Sequence, residues 1–386
     1  MNARFAWVVA GCHFIAAFAA LGLPPFFPLI LERSLHDPAP ALAGWLYVLP
    51  TLCAAFSAPL WGRLADRYGP RPLLLRAQLG LALSFLLTGA ARTPWEFAGA
   101  LALQGVLGGT FAASNTYLAA LLRGPDLTRA LTLMQGSARA ALVVAPATLA
   151  LFVGSRSPLG LYTALSVLPL LAALLLWRLP PVEHSQPEAN PECQIPVTQA
   201  AGAALVFTLE AAFVFATIVT FPYFIPYVRA LEFSPALWGA VFAVPHLVYL
   251  LFAPVALRRL RAVTPLRGLT LSLAALMVSL LGQLTPFLSP MVAFRVLMGL
   301  AMTGFYVWLH VLVVGLAQDR QAGRLFGTFE AVSKLAAVLA GVTAGLAAPR
   351  LGLHAPFVLG ALVLLPVVTV LLVRGWLPRK RNTYAA

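Results

Sequence analysis

Charge is what this chain lacks. Only 10% of its 386 residues are Asp, Glu, Lys or Arg, and just 12 are acidic, whereas soluble domains carry about 25% charged residues. The shortage excludes a water-facing surface over most of the chain. Cysteine is also scarce. Cys12 and Cys53 lie in apolar runs and Cys193 in a polar stretch. That spacing implies no disulfide framework, and three such scattered thiols do not make a metal site. No loop of the form G-x-x-x-x-G-K-[ST] occurs, which removes nucleotide hydrolysis as an energy source and leaves an ion gradient. No nucleophile stands at useful spacing from a base, so the chain does not read as an enzyme.

Apolar residues are abundant, at 61%. They fall into twelve runs, each long enough for a bilayer that needs about 20 apolar residues per helix. The first six read 5–31, 43–61, 74–91, 95–122, 129–153 and 158–178. The second six read 200–228, 235–257, 267–285, 290–317, 324–347 and 354–377. The first run is too long for a signal core and lacks a small-residue cleavage site, so it reads as a retained span. Between the two sets lies PPVEHSQPEANPECQIPVTQ, with five prolines and three glutamates. Such a stretch buries no core and reads as a linker. The expected organisation is therefore a first bundle over 1–179, a linker over 180–199, and a second bundle over 200–386 that ends in a basic tail.

The net charge of +14 is a matter of orientation. With the N-terminus inside, 18 of the 26 Lys and Arg residues fall at cytoplasmic ends and 5 outside. That is the positive-inside bias. It places both termini in the cytoplasm and assigns the bases to anionic lipid rather than nucleic acid. The remaining three, Arg139, Arg295 and Lys334, lie within spans.

The two halves repeat. Pro50 and Pro59 recur 195 residues on as Pro245 and Pro254. Arg129, Gln135 and Arg139 recur at the same interval as Arg324, Glu330 and Lys334. Pro25 answers to Pro222, and His13 and Glu210 lie 12 residues before these two prolines. A half-length repeat with equal span counts predicts an all-α membrane protein of twelve transmembrane helices in two pseudo-symmetric six-helix bundles.

The most distinctive stretch is GRLADRYGPRPLL, Gly62 to Leu74, a charged turn between two uncharged runs. Arg63, Asp66, Arg67 and Arg71 would each cost roughly 2.5–3.5 kcal/mol at mid-bilayer, so the turn belongs at a membrane surface. It resembles the loop pattern G-x-L-A-D-R-x-G-R-K-x-x-L of the major facilitator superfamily of secondary transporters. The match holds at Gly62, Leu64, Ala65, Asp66, Arg67, Gly69, Arg71 and Leu74, with a departure at Pro70. The resemblance implies two bundles that rock about a midplane site. It further implies that Asp66 contacts the other half near the start of the eleventh helix and latches the outward-open state. The latch would comprise Gly62, Asp66, Arg67, Gly69, Arg71, Arg123 and Arg324, with Gly323-Arg324 and Arg123 as the partners of Asp66. The other reading of Asp66 is a solvated loop charge. Two further family signals are only partly kept. The fourth span has Gln104-Gly105, but Leu101 stands where many relatives have arginine, while the tenth span carries Arg295 four before Gly299. The Gly-Pro-x-x-Gly-Gly run of drug/proton antiporters is reduced to Pro146.

Six polar residues inside the spans matter most: His13, Arg139, Glu210, Arg295, Glu330 and Lys334. Left alone in lipid, the five formally charged ones would cost about 12–18 kcal/mol. Either they pair structurally, as Glu330 and Lys334 can at i and i+4, or they face a central cavity between the halves. On the second reading Arg139 and Lys334 anchor an anionic group, with Arg295, Tyr306 and Asn115 as further substrate contacts. Glu210, Glu330 and His13 would carry protons. His246 and His310 read as buried neutral imidazoles. The expectation is a proton-coupled transporter of a small organic, anionic solute across an inner membrane, in the export direction, with siderophore-like carboxylates as one class. The alternatives are a broad drug/proton antiporter and an uptake carrier for a sugar or organic acid. The expected partners are the solute and the lipid bilayer, with no cofactor beyond the proton gradient, no metal, and a monomeric state.

Overall fold

The computed structural model describes residues 2–36, 40–153, 158–180, 197–258, 264–317 and 321–376, and among these every regular element is helical. In the first half α1 (Asn2–Gly22) leads through a short 3₁₀ turn, Pro24–Phe26, into α2 (Phe27–Ser34). Then come α3 (Pro40–Tyr68), α4 (Pro70–Gly89), α5 (Pro94–Leu107), α6 (Thr110–Leu121), α7 (Gly124–Val153), α8 (Pro158–Leu165) and α9 (Val167–Trp177). The second half holds α10 (Val197–Ile218), α11 (Phe221–Ala230), α12 (Pro235–Arg258), α13 (Pro265–Gly282), α14 (Leu288–Leu316), α15 (Ala322–Leu351) and α16 (Ala355–Trp376).

Among the described residues, eleven segments are long and apolar enough to cross a membrane. The twelfth span is α7. At 30 residues it is about 45 Å long, and it carries Asp126, Arg129 and Arg139. Most of the expected linker, with Cys193, lies outside the described residues. So does the tail from 377 onward, along with several of the counted bases, among them Arg156, Arg259 and Arg320. The seventh span begins at Val197, three residues before the expected boundary.

Several spans are built from two helices, and proline or glycine marks the junctions of the first, fourth and seventh. The first breaks at Leu23–Phe26, where consecutive prolines tighten the chain into a 3₁₀ turn. The seventh breaks before Phe221, with Pro222 in the first turn of α11. The fourth breaks at Gly108-Gly109, which the sequence did not announce. Gly109 has φ +80°, a left-handed conformation that costs glycine nothing.

The repeat is carried by packing as well as by sequence. Gly105 of α5 lies against the carbonyl of Pro50 in α3, so close that a Cβ there would collide with it. Gly299 of α14 lies in the same way against the carbonyl of Pro245 in α12. Each half thus seats a proline-kinked helix on a glycine of its fourth span. The halves meet along two seams, α3 against α15 on one side and α7 against α12 and α14 on the other. The face of the bundle that carries the α3–α4 turn and the start of α15 is termed the loop face below.

Candidate transport site

At the loop face the α3–α15 seam closes backbone to backbone. A Cβ on Gly62 would strike the Gly323 carbonyl, one on Gly323 would strike the Gly62 carbonyl, and one on Gly327 would meet the carbonyl of Ala58. Three glycines thus bring two helix axes together where any side chain would hold them apart. Over this contact sits Asp66. Its Oδ1 accepts the Gly323 N–H at 2.7 Å and its Oδ2 the Arg324 N–H at 2.9 Å. These are two of the four donors that the first turn of a helix leaves unpaired, and a carboxylate there also meets the positive end of the helix dipole.

The other loop residues hold the turn rather than the seam. Gly69, at φ +94°, starts α4 in a conformation that needs glycine. Arg71 donates to the Trp177 carbonyl at the end of α9. Arg67 is exposed and lies over the Tyr68 ring. Arg123, expected as a second partner of Asp66, instead donates to the Ala119 and Leu122 carbonyls at the end of its own span. Its guanidinium satisfies carbonyls that α6 leaves free, an available use for a base at a helix C-terminus. The Arg324 side chain reaches Gln321 Oε1, and its backbone N–H does the latching.

Behind the seam lies a cavity of about 450 Å³ bounded by both halves. His13, Glu210, Tyr306, Glu330, Ser333 and Lys334 are on its wall. Leu21, Pro24 and Tyr47 extend the lining toward the face opposite the loop face. Lys334 Nζ stands 3.5 Å from Glu330 Oε1, with the lysine side chain 39% exposed and the glutamate 10%. Glu210 is 1% exposed, and its Oε2 has no hydrogen-bond partner. Ser333 lies on the same cavity wall. His13 Nδ1 is 3.3 Å from Thr110 Oγ1, and its ring packs on Phe111 at 5.2 Å.

Three of the expected substrate contacts are placed elsewhere. Arg139 stands one layer back: its guanidinium lies 5.2 Å from the ring centre of Tyr306 and donates to His246 Nδ1 at 3.4 Å. Tyr306 is on the cavity wall and Arg139 is not. Asn115 is buried, is absent from the cavity wall, and has an unpartnered Oδ1.

Arg295 is spent on the backbone of α12. Its Nε donates to the Val241 carbonyl at 3.1 Å, its Nη2 to the Phe242 carbonyl, and its Nη1 to Gln283 Oε1 at 3.3 Å. Pro245 explains this arrangement. It has no N–H to give to residue 241, and its ring pushes that carbonyl outward. Arg295 takes up the carbonyl that Pro245 leaves over. Its guanidinium is also 4.1 Å from the ring centre of Phe224.

The break in the fourth span is stabilised in the same manner. Trp61 Nε1 donates to the Val106 carbonyl at 2.6 Å and Arg76 Nη1 to the Leu107 carbonyl at 2.7 Å, with the guanidinium stacked 3.6 Å from the Trp61 ring centre. Gly108 and Gly109 consequently line the cavity as irregular backbone, which is tolerated at membrane depth only beside protein or a cavity. Gln135, another cavity residue outside the expected contacts, was signalled by the repeat, being the counterpart of Glu330. Thr110 and Ser333 carried no signal in the sequence. His310 is buried with Nδ1 3.1 Å from Thr132 Oγ1, as a structural imidazole.

A twelve-span bundle with a capped α3–α15 seam over a two-sided cavity is matched by one family model, that of the Major Facilitator Superfamily, over residues 9–255 and 203–385. The chain belongs to the major facilitator superfamily. It is accordingly a multi-pass membrane transporter and not an enzyme. One curated relative, the multidrug resistance protein MdtG of Enterobacter lignolyticus, is 28% identical over 94% of this chain and 90% of its own length. The MdtG proteins of Citrobacter koseri and Yersinia enterocolitica are 36% and 37% identical over shorter stretches, which span 29% and 27% of those relatives' lengths. Among solved structures, the human organic anion transporter MFSD10 (TETRAN) superposes with a TM-score of 0.77 over 96% of this chain and 99% of that one, at 17% identity, a likeness of fold.

Proposed function

We propose that this transporter exports a small organic acid in exchange for protons, by alternating access across an inner membrane with both termini in the cytoplasm. The observation that carries the reading is the pairing, on one cavity wall, of a partly exposed Lys334 with a Glu210 carboxyl whose Oε2 is unpartnered. Lys334 offers the solute's carboxylate a charge-assisted contact. Glu210, buried in the same wall with Oε2 unpartnered, offers an acceptor to a hydroxyl or ammonium group on the same solute once the wall parts to admit it. A proton arriving on Glu210 competes for that acceptor and weakens the solute's hold, so proton and solute occupy the site in turn. Glu330 competes with the solute for Lys334, and His13 completes the titratable set. Hydroxycarboxylates, including siderophore-like ones, present both groups. The MdtG relatives, named for multidrug resistance, support export. The protein would act as a monomer, since each half supplies part of the wall, and with no cofactor beyond the proton gradient.

The test is a pair of fluorescent solutes in proteoliposomes with an imposed pH gradient, anionic fluorescein and cationic ethidium. Gradient-driven movement of fluorescein supports the reading. Movement of ethidium alone contradicts the acid and favours a cation/proton antiporter built on Glu210 and Glu330.

A further inference from the structure

A second concavity, larger than the central one, lies among the described residues. A groove of about 1100 Å³ runs along the outside of the α7–α12 seam, between α1, α7 and α12, from the middle of the bundle to the loop face. Small residues hollow it out. Ala10, Gly11, Gly136 and Ala253 form its bed, and a Cβ at Gly11 would meet nothing within 4 Å. Trp7, 67% exposed, stands on its flank. Tyr249, whose hydroxyl donates to the Thr132 carbonyl at 3.1 Å, closes its floor and separates it from Tyr306 and the cavity.

The end of the groove at the loop face is basic. Arg129 and Arg258 line it. Arg4 stands on the same face of α1 as Trp7, Gly11 and Phe14, by their three- and four-residue spacing. Asp126 pairs with Arg129 at 3.1 Å. No acidic partner is seen for Arg4 or Arg258 among the described residues, and the sequence after Arg258 adds Arg259 and Arg261. An apolar trough that ends at the loop face in arginines without an acidic partner among the described residues is complementary to an acidic amphipath.

We infer that this groove is a binding site for one acidic phospholipid, its acyl chain laid over Gly11 and Gly136 and its phosphate between Arg4 and Arg258. A polybasic segment near the surface draws acidic lipid, and the trough converts that general attraction into a defined seat. The site stands apart from the central cavity and is independent of which solute is carried.

Native mass spectrometry of the full chain, purified from bilayers containing palmitoyl-oleoyl phosphatidylglycerol and phosphatidylcholine in equal amounts, tests the site. One phosphatidylglycerol should stay bound in preference to phosphatidylcholine. Replacing Arg4 and Arg258 with glutamine should weaken retention roughly five-fold per arginine. Ala253→Phe, which fills the trough, should abolish it. The glutamine variants alter exposed positions and leave the core intact, so their result stands even where Ala253→Phe fails to fold. Equal retention of the two lipids, or phosphatidylglycerol retention unchanged by the arginine replacements, would overturn the site.

Discussion

The carboxylate of Asp66 accepts the backbone N–H of Gly323 at 2.7 Å, across the seam between the two halves. A side chain from the first half thereby completes a helix of the second, and the contact exists only while the loop face is closed. The carboxylate contributes about 0.3–1 kcal/mol through the helix dipole alone, and the two hydrogen bonds to an ionised acceptor add to it.

Asp66→Asn retains one acceptor and loses the charge. It should shift the balance between loop-face-closed and loop-face-open forms by roughly five-fold toward open, about 1 kcal/mol. Distances between spin labels on the loop-face ends of α3 and α15 would read this shift. An unchanged distance distribution would mean that Asp66 is only a surface charge.

Gly62→Leu should be more severe. The new side chain meets the Gly323 carbonyl directly, with backbone on both sides and nothing flexible to move. The loop face should stay ajar and transport should fall below a tenth of wild type, while the protein remains folded because each half also has a core cluster confined to itself. A Gly62→Leu variant with near-normal transport would show that the seam need not close backbone to backbone.

Arg295 and Pro245 should be energetically coupled. Arg295→Met strands the Val241 carbonyl and should destabilise the protein by about 1–3 kcal/mol. Pro245→Ala restores an N–H that can return to Val241, so the double variant should recover part of that loss. Thermal unfolding of the four proteins in the cycle measures the coupling. Strict additivity would mean that Arg295 serves something other than the kink.

Lys334→Met and Arg139→Gln distinguish the two bases that the repeat makes equivalent. Lys334 touches the cavity, so its loss should raise KM for an anionic solute about ten-fold or more, the scale of one hydrogen bond to a charged group. Arg139 acts through Tyr306 and His246, so its loss should lower the maximal rate more than it raises KM. The reverse pattern in fluorescein transport would place the solute against Arg139.

These two bases also show what the sequence could convey. The number of spans and the half-length repeat follow from hydropathy and residue spacing, since a bilayer tolerates few alternatives, whereas the Gly62–Leu74 stretch, read as a turn, is helical on both sides of Gly69. The repeat placed Arg139 and Lys334 at matching depth. It could not show that Tyr306 and not Arg139 is on the cavity wall, because the residue at the corresponding position of the first half is Phe111, which packs on His13 instead. Arg295 looked like a cavity base because a lone charge in a span reads the same whether it faces water or stranded carbonyls. The clue was Pro245, four residues after Val241. The break at Gly108-Gly109 could not be read from the chain, because it rests on tertiary partners, Trp61 and Arg76.

The account turns on Glu210 as the group where proton and solute exclude each other. The most direct measurement compares wild type and Glu210→Gln in proteoliposomes, with fluorescein transport followed under a pH gradient and, separately, as exchange at equal pH. Loss of gradient-driven accumulation in Glu210→Gln, with exchange at equal pH retained, is the predicted result. Gradient-driven accumulation that survives the substitution would contradict it.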